Sequence, residues 1–175
     1  MELRVGILDG VDASVEDNLV KVKGEKGELR RKFPPQVGIS KIDNSVVISS
    51  DGEKRKQKAL MGTIKAHIMN MAYGVKNGYG YRMRIVYSHF PMNVKVQGNE
   101  VVIDNFLGER HPRKAKILEG VDVDIKGQEV SITGIDIENV SQTAANIELS
   151  TRIKRRDLRV FQDGIYITYK DKAKV

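Results

Sequence analysis

A chain that repeats itself folds as two copies of one unit, and that constraint is the strongest this sequence carries. An offset of about 81 to 84 residues brings the two halves into register. Asn18-Leu-Val-Lys-Val-Lys-Gly24 answers to Asn99-Glu-Val-Val-Ile-Asp-Asn105, and Gly27-Glu28 answers to Gly108-Glu109. Ser45-Val-Val-Ile-Ser49 answers to Glu129-Val-Ser-Ile-Thr133, and Ile64 answers to Ile147. The order of patterns repeats more clearly than the letters: alternating strand, turn, alternating strand, helix, final strand.

Period-two alternation supports the strands, as in Leu19, Val20, Val22 before Gly24, or Val121-Asp-Val-Asp-Ile125 before Gly127. Leu60, Ile64, Ile68, Met71 and Val75 recur at spacings of four and three, which predicts a helix over Lys56–Val75 ended by Asn77-Gly78. In the second half Val140, Ala144 and Ile147 mark a shorter stripe, and Asn139 with Gln142 predicts a capping box at its start. A strand is expected after each helix, Tyr81–Val86 and Ile165–Tyr169, the latter opened by the turn Asp163-Gly164. The expected fold is α+β, two tandem duplicated domains over 1–87 and 88–175, each a small antiparallel sheet packed with one main helix. Units of this size sit near the lower limit for a self-sufficient core, and the boundary is expected near Ser88-His-Phe-Pro91, where proline interrupts the strand pattern.

Composition narrows the chemistry. The 175 residues include no cysteine, which excludes disulfide scaffolds, cysteine zinc sites, iron–sulfur clusters and thiol catalysis. There is neither a basic-then-apolar leader nor an apolar run of membrane-spanning length, so a soluble, cytoplasmic protein with no membrane partner is expected. A formal net charge of +7 favours a polyanionic partner, nucleic acid before a membrane surface.

The positive charge is unevenly placed. Residues 1–87 hold 16 basic and 10 acidic side chains, whereas 88–175 hold 14 and 13, so net charge points to the first half. Local density points to the second. Between helix and last strand the first copy reads Ala66 to Gly78 with one lysine, whereas the second copy has Arg152, Lys154, Arg155, Arg156 and Arg159 beside one acid, Asp157. This stretch reads either as a solvated loop or as a phosphate-contacting one, with Phe161 available to stack on a base. A second cluster, Arg110, His111, Arg113, Lys114 and Lys116, is less diagnostic because its twin Arg30-Arg31-Lys32 is also basic. Glu53-Lys-Arg-Lys-Gln-Lys58 puts cations at the head of the first helix, where the dipole disfavours them.

Nothing in the residues argues for catalysis. There is no phosphate-cradling glycine–lysine loop and no nucleophile elbow, and Gly78-Tyr-Gly80 lacks the third glycine of a dinucleotide fingerprint. His67, His89 and His111 lie 22 residues apart without ligand spacing, so neither a metal nor a cofactor is expected. Three functions stay open on these grounds alone: a structural RNA-binding protein, a metal-dependent enzyme acting on nucleic acid, and a module clamping an acidic protein.

One family matches the residues closely. Tyr81-Arg-Met-Arg-Ile-Val-Tyr-Ser-His-Phe-Pro-Met-Asn-Val94, Asn105-Phe-Leu-Gly-Glu-Arg110, Asn139-Val-Ser-Gln-Thr-Ala-Ala-Asn-Ile-Glu148 and Arg156-Asp-Leu-Arg-Val-Phe-Gln-Asp-Gly-Ile-Tyr166 follow one another in order and spacing over nearly the whole chain. In these stretches the sequence resembles the large-subunit ribosomal protein L6 family in its archaeal and eukaryotic form, and the compact chain is most like the archaeal branch. It departs from the bacterial form, which carries a Lys-Gly-Lys-Gly-type segment where Arg159–Gly164 stand. The resemblance implies the duplicated α+β fold and a structural, non-enzymatic role. It implies binding to the 3′ domain of large-subunit rRNA near the sarcin–ricin loop, close to where translation factors dock, among neighbouring ribosomal proteins. By the same resemblance the second copy makes the main contact, through Lys154, Arg155, Arg156, Arg159, Phe161, Asp163 and Gly164, with Arg110, Arg113 and Lys114 as further candidates.

Overall fold

In the computed structural model the described residues are 2–50 and 54–171. The chain divides into two units between Gly78 and Tyr79.

The first unit runs β1 (Glu2–Gly6), β2 (Asp12–Glu16), β3 (Leu19–Gly24), β4 (Gly27–Lys32), β5 (Gly38–Ile42), β6 (Ser45–Ser49) and α1 (Arg55–Asn77). Its strands form two antiparallel sheets, ordered β1-β6-β5 and β2-β3-β4. The hairpin between β2 and β3 turns through Asp17 and Asn18, both at positive φ, as a two-residue primed turn requires. Asn18 then donates its side-chain amide to the Val37 carbonyl at 3.0 Å, tying this turn to the chain before β5. Ile64, Ile68 and Val75 of α1 bury against Val20, Val22, Val46 and Ile48, so the predicted apolar stripe is the one that closes the core. The helix ends as its sequence indicates: Gly78 sits at φ 72, ψ 175, a conformation open essentially to glycine alone, and its N–H reaches the Gly74 carbonyl. No acidic residue occupies the first turn of α1 among those described, and Lys54 stands at its N-cap without a side-chain bond; Glu53 lies outside the described residues.

The second unit repeats the wiring: β7 (Tyr79–Val86), β8 (Asn93–Gln97), β9 (Glu100–Asp104), a 3-10 turn (Phe106–Gly108), β10 (Arg113–Lys116), β11 (Val121–Lys126), β12 (Glu129–Gly134), α2 (Ile137–Ser150) and β13 (Gly164–Lys170). The sheets are β8-β9-β10 and β11-β12-β7-β13. β7 buries alternate residues, Tyr79, Tyr81, Met83 and Ile85, beneath α2, whose Val140, Ala144 and Ile147 are fully enclosed.

The duplicated α+β architecture is therefore present, with three details corrected. Each unit holds two small sheets rather than one. The strand after α1 does not close the first copy: β7 pairs with β12 and β13, as β1 pairs with β6, and so opens the second copy. The division consequently falls at Gly78, ahead of the expected Ser88–Pro91, and β13 is a strand without a counterpart among the described residues of the first unit. A third correction concerns the start of α2. Its N-cap is Asp136, whose carboxylate accepts from the Glu138 N–H at 2.9 Å. Asn139 and Gln142 form no capping box; they donate to the Glu119 carbonyl and to Asn146 Oδ1.

Candidate nucleic-acid interface

The basic connection 152–163 leaves the end of α2 and returns into β13, and both of its feet are pinned. Thr151, buried at the helix end, donates its hydroxyl to the Glu148 carbonyl and accepts the Ile165 N–H at 3.0 Å, so one side chain ties the exit of the loop to its re-entry. Ile153 and Asp163 are buried on either side, while every residue from Lys154 to Val160 is exposed. A hydroxyl clasp under a solvent-facing arc holds the cations outward without burying their charge.

Inside the arc, the single acid has an internal task. The Asp157 carboxylate accepts from the Arg159 backbone N–H at 2.9 Å and from its guanidinium at 3.2 and 3.0 Å, and its carbonyl accepts from Val160 and Phe161. The Arg159 side chain, followed by the backbone bond, holds the Asp157 carboxyl below its ordinary range. Asp157 thus shapes the turn. Arg156 lies 4.9 Å over the Phe161 ring, so one face of that half-buried aromatic is already covered by the loop's own cation. Phe161 therefore serves as an anchor for Arg156 in addition to the stacking role expected of it. Arg155 takes a left-handed conformation, φ 59, at the bend.

Two expectations about the re-entry are modified. Asp163 is buried, and Gly164 is the first residue of β13 rather than the apex of a turn. What its missing Cβ accommodates is Tyr166: a Cβ there would stand 3.0 to 3.2 Å from the tyrosine ring and hydroxyl.

The second basic cluster divides. Arg113 points its guanidinium inward, donating through Nε and Nη2 to both Glu109 oxygens at 2.8 and 2.6 Å and through Nη1 to the Ser150 and Arg152 carbonyls at 2.9 and 3.1 Å. It also lies 4.1 Å over the Phe106 ring. Five contacts occupy this side chain, so its task is to fasten β10 to the end of α2. The bonds from Arg113, opposed by burial and aided by the charges of Arg113 and Arg156, hold the Glu109 carboxyl below its ordinary range. Lys114 forms an exposed pair with Glu100 at 3.0 Å, and Arg110 is exposed in the turn before β10.

The two clusters meet. Arg113, Lys114, Leu149, Ser150, Arg152 and Lys154 line one open groove at the loop's first foot. Arg152 was counted in the basic stretch but not selected as a contact residue, and its place in the groove is visible only in three dimensions. Leu158 and Val160 were also missed: at 63% and 72% exposed they are the most exposed large apolar side chains of the chain's described residues, and both stand among the arginines of the loop. Their only sequence signal is that two aliphatics interrupt a basic run.

Comparison with known proteins identifies the family. The family model described as ribosomal protein L6 matches residues 7–78 and 90–164, one segment in each unit. "Large ribosomal subunit protein uL6" of Methanobrevibacter smithii is 53% identical over 168 residues, covering 95% of this chain and 94% of that protein. The protein of the same name from Aeropyrum pernix is 51% identical over 94% of this chain and 91% of its own length. That from Methanothrix thermoacetophila is 49% identical over 95% and 96%. The chain belongs to the ribosomal protein L6 family, in its archaeal form.

Proposed function

We propose that this protein is a structural, non-catalytic constituent of the cytoplasmic large ribosomal subunit and that its second unit supplies the main rRNA contact. One observation carries the reading: the cations of 154–156 stand exposed on a loop whose only exposed acid, Asp157, is spent on its own turn, and they continue into a groove that also holds Lys114 and Arg152. Such a surface suits folded RNA, which is recognised through its shape and its phosphates. Arg155, Arg156, Arg159, Lys154, Lys114 and Arg110 neutralise phosphates in this reading, Phe161 holds Arg156 in place, and Arg113 secures the first foot of the loop through the Arg152 carbonyl. The relatives carry large-subunit names, and the family resemblance directs the contact to the 3′ domain near the sarcin–ricin loop, beside ribosomal-protein neighbours and the docking place of translation factors.

Co-sedimentation tests the assignment: the protein should travel with the large subunit through moderate salt, and recovery solely in the free pool refutes it. The interface has its own test. Replacing Arg155, Arg156 and Arg159 together by alanine should flatten the salt dependence of rRNA binding by about two units, at roughly 0.7 to 0.9 per phosphate contact. An unchanged slope returns the loop to a solvated surface.

A further inference from the structure

The solvent face of the four-stranded sheet carries a pattern that the basic loop does not explain. α2 covers one side of β11-β12-β7-β13, and on the other side β7 exposes Arg82 and Arg84 between its buried residues. The register sets Tyr166 of β13 opposite Arg84 and Tyr169 opposite Arg82. Strict alternation would have brought Thr168 to the second position. A bulge between Ile167 and Tyr169 replaces it with the aromatic, and Thr168 bonds its hydroxyl to the Arg82 carbonyl at 3.1 Å instead. Bulges of this kind re-aim a side chain. Here the outcome is two tyrosines, 43% and 53% exposed, on one open face beside two arginines.

Both rings are held in place. Tyr166 donates its hydroxyl to the Gln162 carbonyl at 3.0 Å and rests over Gly164, and the Arg82 guanidinium lies 5.6 Å over Tyr169. No ion pair engages Arg84 among the described residues. The first unit serves as a control: the pairing of β1 with β6 puts Glu2, Arg4 and Gly6 where β7 has Gly80, Arg82 and Arg84, with no aromatic ring on that strand. The aromatic pair therefore arrives with β13, the strand that the first unit lacks among its described residues.

We infer that the outer face of β7 and β13, Tyr166, Tyr169, Arg82 and Arg84, is a stacking platform for unpaired RNA bases. Fixed aromatic rings on an open sheet, with arginines at the spacing of the strand, give bases a surface to stack on and phosphates a counter-charge. The platform begins where the basic loop ends, at Gly164, so a strand leaving a folded RNA on the loop can run onto it. It extends the RNA-binding reading to a second, distinct type of contact.

The test uses the full chain and a fluorescently labelled, unpaired oligoadenylate of about eight nucleotides, within the range one such surface covers. Exchanging both tyrosines for leucine should weaken binding about tenfold or more while leaving the salt slope unchanged, because stacking releases no counterions. Tyr166→Phe keeps the ring and should bind as the parent does; Tyr169→Leu alone, at an exposed position, reports if the double variant is unstable. Arg84→Gln should lower the slope by about 0.7. The inference is overturned if the parent does not bind the oligoadenylate, if leucine substitution leaves affinity unchanged, or if a duplex of equal length competes as well as the single strand. None of these outcomes depends on co-sedimentation with the large subunit, so the two readings fail separately.

Discussion

Replacing Arg113 by lysine keeps the charge and removes the fork, which makes Arg113→Lys the sharpest test of how the basic loop is supported. The parent side chain joins Glu109, Phe106, the last carbonyl of α2 at Ser150 and the Arg152 carbonyl just beyond it at once. A lysine ammonium can reach one of these partners, not all of them. The Glu109 pair is worth about 1 kcal/mol or less, since the two side chains are 23% and 41% exposed and water screens them. The bonds to the Ser150 and Arg152 carbonyls, together with the contact with Phe106, add roughly 1 to 2 kcal/mol once their partial exposure is allowed for.

A net loss of about 2 kcal/mol should lower the urea midpoint of the second unit by about 1 M, at a slope of roughly 2 kcal/mol per molar. Tyrosine fluorescence follows that unit preferentially, because the chain has no tryptophan and five of its six tyrosines, from Tyr79 onward, lie there. Amide exchange over 152–163 should accelerate at the same time, since the carbonyls that root the loop have lost their donor. An Arg113→Lys protein that unfolds at the parent midpoint with unchanged exchange refutes the reasoning and makes Arg113 a surface charge like its neighbours.

Three further outcomes follow from single contacts. Glu109 has a folded-state carboxyl held below its unfolded value, so its contribution is complete above the ordinary glutamate range of about 4.3 and is lost as pH falls through the folded value; the stability gap between parent and Glu109→Gln should be present at neutral pH and close on acidification. Asp136→Ala removes the side-chain N-cap of α2 and should cost about 1 kcal/mol in urea denaturation, whereas Asn139→Ala, which loses only an exposed bond to the Glu119 carbonyl, should cost less. Gly78→Ala forces a Cβ into a glycine-only conformation at the end of α1 and should destabilise the first unit by roughly 1 to 3 kcal/mol, measured by circular dichroism at the helical band.

How much of the fold could be read depended on whether each signal is local. Leu60, Ile64, Ile68, Met71 and Val75 declare α1 within one window, and Gly78 declares its end, because helix bonds and caps link residues four apart. The ownership of β7 is a different kind of fact. Tyr81–Val86 has the alternation of a strand wherever it pairs, and only its partners β12 and β13, some 45 and 80 residues onward, make it the first strand of the second copy. Assigning it to the first copy moved the boundary from Gly78 to about residue 87. The same slip turned a helix into a control for a loop: the stretch from Ala66 that served as the quiet twin of 152–159 is the last part of α1, which runs 23 residues where α2 runs 14.

The proposed interface was legible as charge and illegible as geometry. Density singled out Arg152 to Arg159 because phosphate binding requires cations, and that requirement is written in composition. Whether a given arginine is available is decided by partners elsewhere. Arg113 looks equivalent to Arg110 in sequence, yet its carbonyl partners are 37 and 39 residues away, and they convert it from a contact into a fastening. Asp157 looks like an interruption of a basic run and is the residue that folds it. Tyr166 and Tyr169 read as ordinary β-formers until a bulge sets both rings on one face. Arg113 and the two tyrosines change role through partners that adjacency cannot reveal, so a charge-based list should be expected to overcount arginines and undercount aromatics. The salt slope and the oligoadenylate affinity measure those two errors independently, one through phosphates and the other through rings.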